Sequence, residues 1–398
     1  MSFIPFHVPS IGEEEIDEVV ATLRSGWITS GKRTTQFEQE FRDYVGAPYS
    51  LAVNSCTAGL HLALAALNIG PGDEVITTPI TFCATVNTIL HVGATPVLAD
   101  VDQDGNMDPE SIRSRITPKT RAILPVHLGG LPCDMLSIWQ IAKAHNLFVI
   151  EDAAHAVGSH YRTFPIGAGD PNTGLYSDAV AFSFYATKTL TTGEGGMVTT
   201  HSQELIERMR VLCLHGISKD AWNRYAENGS WYYQVVDVGF KYNLSDIQSA
   251  IGIHQLRKQE RFLQTRSEYA RYYTEALRDI PEFLETPGTS GDRRHAWHLY
   301  MLRLNLDRLA IDRATFIAEL HRAGVGASVH FIPIPLHPAF AAIARQERNY
   351  CPKALAFYPR ILSLPLYPGL TTEELRHVVN AVKEITVRNR AAVQIAMT

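Results

Sequence analysis

Two polar side chains in this sequence stand where reactive groups would be expected: Asp152, which ends the apolar run "LFVIED" (147–152), and Lys188, inside "SFYATKTLTTGEGGMV" (183–198). Lys188 is a long amine among the small residues Ala186, Thr187 and Thr189. Gly193, Gly195 and Gly196 follow it and let backbone pass close to a ligand. Taken alone, such a lysine reads as a solvated surface residue. Asp152 alone is either a helix N-cap or a buried anion waiting for a cation. "GEGG" is not G-x-G-x-x-G opening a helix, so a dinucleotide site has little support. A metal-dependent hydrolase would use Asp152, His155 and His127, but the short spacing from Asp152 to His155 lacks an obvious third ligand, and no metal is expected.

Two more segments change the reading of the pair. "NSCTAGLHLALAALNIGPGDEV" (54–75) puts Ser55, Thr57, Ala58 and Gly59 at the start of a helix with an apolar stripe of Leu60, Leu64 and Leu67. Small residues there leave backbone N–H groups open to a phosphate. "TPITFCATVN" (78–87) sets Phe82 directly after a strand, where a flat ring can stack. Cradle, aromatic lid, carboxylate and lysine together describe pyridoxal 5′-phosphate. Its aldehyde needs an amine, its pyridine nitrogen an anion, and its phosphate an anchor.

The elements that must position these groups are legible as alternating strands and helices from about residue 50 to 215. "VITTP" (75–79), "PVLADVD" (96–102), "RAILPVH" (121–127), "LFVIED" and "AVAFSF" (179–184) read as strands with helical stretches between several of them. That order predicts an α/β fold whose mostly parallel sheet is sandwiched by helices, with ligands beyond the carboxyl ends of the strands. An N-terminal arm helix follows a capping box of Ser10 and Glu13. After about residue 244 one long helical stretch leads into a smaller α+β region containing "HAWHLYMLRL", "RATFIAELHRAG" and "GASVHF", then a final helix after Thr371. We expect a large domain over 1–250 and a small one over 251–398, with "ETPGTSGDRR" (285–294) as the loop-like segment.

Composition bounds the remaining classes. The 398 residues are 45% hydrophobic and 19% charged, with net charge −5 and no basic blocks, which gives no electrostatic footprint for nucleic acid or an anionic membrane. Five scattered cysteines without a C-x-x-C pair argue against a disulfide framework and fit a reducing cytoplasm. No signal or membrane segment is expected.

In its motifs the sequence resembles the sugar aminotransferases of the DegT/DnrJ/EryC1/StrS group, fold type I enzymes dependent on pyridoxal phosphate. The resemblance runs through "SGWITSGKRTTQFEQEF" (25–41), "NSCTAGLHLAL", "TPITFCATVN", "EDAAHAVGSHY" (151–161), the Lys188 segment, "GFKYNLSDIQSAIGIHQL" (239–256), "HAWHLYMLRL" and "ILSLPLYPGLTTEEL" (361–375). It implies that Lys188 is the Schiff-base lysine and Asp152 the partner of the pyridinium nitrogen. It further implies that His155 contacts the phenolic oxygen, Phe82 stacks on the ring, and Thr57, Ala58 and Ser183 meet the phosphate. Asn243, in "KYN", resembles a residue that reaches the neighbouring subunit's cofactor, which implies a homodimer with shared sites.

The implied reaction moves an amino group from an amino acid, glutamate by family analogy, to a nucleotide-activated keto-sugar. "SGWITSG", "HAWHLY" and "VGASVHFIPIPLH" (325–337) look like enzymes aminating C4 of UDP-4-keto sugars, including the UDP-4-amino-4-deoxy-L-arabinose type. Substrate contacts are then expected from Thr29, Lys32 and His330. His330 reads equally as a structural histidine at a strand end, and Lys32 with Arg33 as solvated cations. Cys56, Cys83 and "GKRTTQ" depart from the commoner pattern. The alternatives are a sugar dehydratase of the same group, which has histidine at the lysine position, and a non-catalytic cofactor-binding regulator.

Overall fold

The computed structural model describes residues 2–218, 232–288 and 291–391. In chain order the strands are β1 (Tyr49–Val53), β2 (Glu74–Thr77), β3 (Thr95–Leu98), β4 (Thr120–Leu124), β5 (Phe148–Asp152), β6 (His160–Tyr161), β7 (Phe164–Pro165), β8 (Ala179–Ser183), β9 (Gly196–Thr200), β10 (Leu284–Glu285), β11 (Arg293–Arg294), β12 (Tyr300–Leu304) and β13 (Ile361–Leu364). Seven of them form the central sheet in the order β1-β9-β8-β5-β4-β2-β3. All neighbours pair in parallel except β9, which runs antiparallel to both β1 and β8. The sheet is therefore mostly parallel, as the strand–helix alternation predicts.

Helices cover both faces, and side-chain alternation along each strand decides which core a residue joins. Ala52, Ile123, Val149, Val180 and Phe182 pack with α2 (Lys32–Val45), α5 (Pro109–Arg115), α6 (Met135–His145) and α8 (Asp246–Arg257). Their strand neighbours Leu51, Val53, Leu124, Ile150, Ala179 and Ala181 pack on the other side against α3 (Cys56–Ala66) and α7 (Gln203–Cys213), with Ile89 of α4 (Cys83–His91). Buried on nearly every side, α3 is apolar nearly all round and not merely striped, Thr57 being its exposed residue in the first turn.

A second core joins α9 (Gln259–Ala276), α10 (Arg313–Arg322), α13 (Thr372–Arg388) and strands β10, β12 and β13, and it includes Ile4 from the N-terminal arm. A smaller cluster packs Ile80, Val86 and Leu128 against α11 (Ala341–Ala344) and α12 (Pro352–Phe357). Among the described residues no helix is long and apolar enough to cross a membrane.

Local expectations needed correction in four places. Helix α1 (Glu13–Arg24) begins after Gly12, whose N–H donates to Glu15 at 2.8 Å, so the capping pair is Gly12 with Glu15, not Ser10 with Glu13. Ser10 instead offers its carbonyl to Gln255. The long helical stretch breaks at Lys258 into α8 and α9, and residue 250 falls inside α8, which packs on α1 and α2. "GASVHF" is not a strand. It keeps one bridge, Ser328 with Ser363, and β13 supplies the strand beside β12. The expected loop 285–294 is bounded by β10 and β11, and Thr289 and Ser290 within it lie outside the described residues.

Candidate active site

Alternation along β5 and β8 decides which polar groups meet. Ile150 and Ala181 face α3, so Asp152 and Ser183, each two residues further on, face the same side. Asp152 is 6% exposed and is no helix cap. Its Oδ2 accepts from the Thr85 hydroxyl at 2.8 Å and its Oδ1 from the Ala154 N–H at 3.1 Å, while Cys56 Sγ lies 3.9 Å from Oδ1. Burial pushes its pKa up, opposed first by the Thr85 hydrogen bond, then by the Ala154 N–H and the charge of Lys188.

Lys188 sits in the turn between β8 and β9, its N–H donating to the Tyr185 carbonyl at 2.9 Å. Burial lowers the amine's pKa from its ordinary 10.5 to about 8, against the raising pull of Asp152 and then Cys56. The balance of those effects yields an amine that is substantially neutral at mildly alkaline pH yet close enough to Asp152 to feel its charge.

Histidines gather around that amine. His155 accepts the Gly129 N–H on Nδ1 at 3.2 Å and stacks on Phe331 with ring centroids 5.7 Å apart. Burial, and then the charge of Lys188, hold its pKa well below the ordinary value. The ring is therefore neutral with its proton on Nε2, which makes Nε2 the donor. His330 meets Ser363 Oγ at 3.0 Å and stacks on Phe6, and burial with the Lys188 charge lowers it to about 4. His7 and His298 feel the same charge and were not singled out in the sequence. Only the motif around His298 hinted at either. His127 is turned away: its Nε2 meets Glu151 at 2.7 Å, and Glu151 has the opposite parity to Asp152 on β5. Among the described residues no group of three or more His, Cys, Asp or Glu is arranged to hold a metal.

The remaining predicted contacts divide into two groups. Phe82 precedes α4 and is 60% exposed, its ring centroid 6.0 Å from that of Phe331. Thr57, in the first turn of α3, is exposed. The Ala58 N–H is not open as expected, because the Ser55 hydroxyl caps it at 3.1 Å. Ser183 is buried at the end of β8, and its hydroxyl accepts from the Tyr185 N–H at 3.4 Å. Asn243 and Lys32 line an open cavity of about 1070 Å³ with Trp27, and Asn243 bridges Val53, three residues before Cys56. There the Asn243 amide donates to Ser30 Oγ at 2.8 Å. The Thr29 carbonyl accepts from the Asp246 N–H, and the Asp246 carboxylate takes the N–H groups of Gly31, Arg33 and Thr34 that open α2. Arg33 is paired with Glu18 at 2.7 Å, so Lys32 is the exposed cation of its pair.

These residues fit pyridoxal phosphate. A depressed amine, a buried carboxylate, a neutral Nε2–H donor, an exposed ring and an exposed threonine at a helix start match its aldehyde, ring nitrogen, phenolic oxygen, π-face and phosphate. The cradle is also tight. A Cβ on Gly196 would lie 2.7 Å from Cys56 N, Ser55 C and Phe182 O, all backbone.

Comparison with known proteins agrees with the geometry. A profile of the DegT/DnrJ/EryC1/StrS aminotransferase family matches residues 9–383. The spore coat polysaccharide biosynthesis protein SpsC of Bacillus subtilis is 49% identical over 385 residues, covering 96% of this chain and 97% of SpsC. A sugar aminotransferase of Streptococcus pneumoniae, Spr1654, solved in its PLP form, superposes with a TM-score of 0.88 at 34% identity over 97% of this chain and 99% of its own. Helicobacter pylori PseC, an aminotransferase of pseudoaminic acid biosynthesis, gives 0.88 at 30% identity over 98% and 100%.

Proposed function

Because the chain belongs to the DegT/DnrJ/EryC1/StrS aminotransferase family, we propose that it moves the amino group of L-glutamate to C4 of a UDP-4-keto sugar, as a cytoplasmic homodimer with shared sites. That it is a sugar aminotransferase using pyridoxal phosphate follows from the family and from relatives in their PLP and PMP forms. The donor, the nucleotide, the carbon and the assembly are our reading.

The observation that carries the reading is Lys188, an amine lowered to about 8 by burial and flanked by Asp152. When bound, the cofactor supplies an aldehyde for an amine to condense with and a ring that takes up an electron pair. Lys188 in its neutral form accepts a proton at Nζ and can return it. Asp152 holds the proton of the ring nitrogen. His155 would donate from Nε2 to the phenolic oxygen, Phe82 would stack on the ring, and Thr57 and Ser183 would offer hydroxyls to the phosphate. His330, which feels the Lys188 charge, would contact the sugar.

A diphosphate is supported by Lys32 alone, since Asp246 occupies the N–H groups at the start of α2 and Glu18 holds Arg33. Sharing of sites is supported by the likeness of "KYN" to the family's cross-subunit position and by the open cavity that Asn243 lines. A partner surface is supported by the exposed apolar residues Val235, Val236 and Val238. To test the substrate, the enzyme is converted to its pyridoxamine form and offered a panel of UDP- and dTDP-keto sugars. Return of the aldehyde-form absorbance with UDP-4-keto sugars is expected. A response confined to dTDP sugars, or to 3-keto sugars, overturns the acceptor assignment.

A further inference from the structure

Two buried hydroxyl side chains stand in line behind the ring-facing carboxylate. Thr81 and Thr85 hydroxyls lie 2.7 Å apart, and Thr85 Oγ1 lies 2.8 Å from Asp152 Oδ2. Thr81 is 2% exposed, Thr85 0% and Asp152 6%. An ionised carboxylate can only accept, so Thr85 spends its one hydroxyl proton on Asp152. Thr85 must then accept from Thr81, and the chain has one possible direction: Thr81 to Thr85 to Asp152. Hydrogen bonds in such a chain polarise one another in a low-dielectric interior.

We propose that Thr85, backed by Thr81, is a positioning residue that keeps the Asp152 carboxylate ionised and turned so that it binds the ring-nitrogen proton without removing it. The inference rests on the reading of Asp152 as the ring-nitrogen partner. Burial favours the neutral acid at Asp152, and the Thr85 hydroxyl is the strongest influence opposing it. Without that donor, Asp152 gains basicity and captures the ring proton, which leaves a neutral pair and a poorer electron sink. The Ala154 N–H on Oδ1 cannot replace it, because it occupies the other oxygen. Cys56 cannot either: its thiol sits at 3.4 Å from the Ala181 carbonyl and only 3.9 Å from Oδ1. Helix α4 thus sets two things within one turn, the exposed Phe82 ring just before it and the buried Thr85 hydroxyl inside it.

The test uses holoenzyme loaded with cofactor labelled with nitrogen-15 in the ring, whose chemical shift reads protonation directly. Thr85→Val keeps the shape and deletes the hydroxyl. It should move the ring resonance toward the unprotonated position and lower kcat on the order of tenfold, with KM for the amino donor little changed. Thr85→Ser should restore both, and Thr81→Val should move the resonance the same way by less. A wild-type resonance and kcat in Thr85→Val, with only a lower melting temperature, reduces Thr85 to a packing residue and overturns the proposal. If Thr85→Val does not fold, Thr81→Val decides on the same resonance, a shift supporting the chain and its absence overturning it. Asp152→Asn separates the two levels. If it too leaves the ring resonance unchanged, the assignment of Asp152 fails; if it alone shifts, only the threonine chain fails.

Discussion

The amine of Lys188 should titrate far below an ordinary lysine, and its neighbours determine by how much. At a pKa of about 8 roughly one amine in eleven is neutral at pH 7, against about one in three thousand at 10.5, an enrichment on the order of 300-fold in nucleophile. Burial produces the fall, and Asp152, then Cys56, resist it. Asp152→Asn removes the larger of the two opposing charges, so the midpoint should drop below that of the wild type. The assay captures a small aldehyde on the apoenzyme, traps it with borohydride and counts modified Lys188 by mass spectrometry across pH. Stability supplies a second readout. Between about 8 and 10.5 the folded chain holds fewer protons on Lys188 than the unfolded chain, so this residue's contribution to stability rises with pH across that window. The rise amounts to at most about 3 kcal/mol. Lys188→Met should flatten it relative to wild type, as seen in urea unfolding at several pH values. A capture midpoint near 10.5, or an upward shift in Asp152→Asn, refutes the account of burial against charge.

Other substitutions probe the cradle, the lid and the assembly. Gly196→Ala forces a Cβ against the backbone of Ser55, Cys56 and Phe182, and should cost about 1–3 kcal/mol in apoenzyme stability and weaken cofactor binding. Unchanged melting and fluorescence titrations would show that the cradle yields freely. Phe82→Ala should weaken cofactor retention by about 1 kcal/mol, measured by equilibrium dialysis, with little change in apoenzyme melting because the ring is 60% exposed. Heterodimers of Lys188→Ala with Asn243→Ala should hold one doubly defective site and one intact site, and so about half of wild-type activity. If instead each site of the isolated heterodimer carries a single defect, Asn243 serves its own chain.

Much of this arrangement was legible in the sequence where burial on both faces leaves an uninterrupted apolar run. "LFVIED" announces β5 and its terminal carboxylate because four apolar positions precede Glu151 and Asp152, and parity then fixes the side Asp152 faces. Strand β9, by contrast, follows "GEGG", and the residues that read as a glycine-rich turn also begin a strand running against its neighbours. Direction is a property of pairing, which short apolar runs do not encode. The capping box failed for a local reason: Ser10-Ile11-Gly12-Glu13 has the right types, but the competing pair Gly12 and Glu15, two residues later, sits where the helix starts. Thr85 was invisible because its meaning depends on Asp152, 67 residues away. The one available signal was its four-residue spacing from Thr81 at a helix start.

The hairpin that carries Lys188 also bears on how the chain reaches its working state. Ser183 pairs directly with Gly196, so the lysine loop closes over the segment 184–195, a far shorter span than separates the other site residues. Cys56 and Asp152 meet across a sequence separation of 96, and Asn54 finds the Tyr242 carbonyl from further still. Contact separation alone predicts that the turn bearing the amine forms before its carboxylate and cradle are in place. Cofactor capture becomes a late event in refolding, and the bound chromophore reports that the distant halves of the sheet have joined.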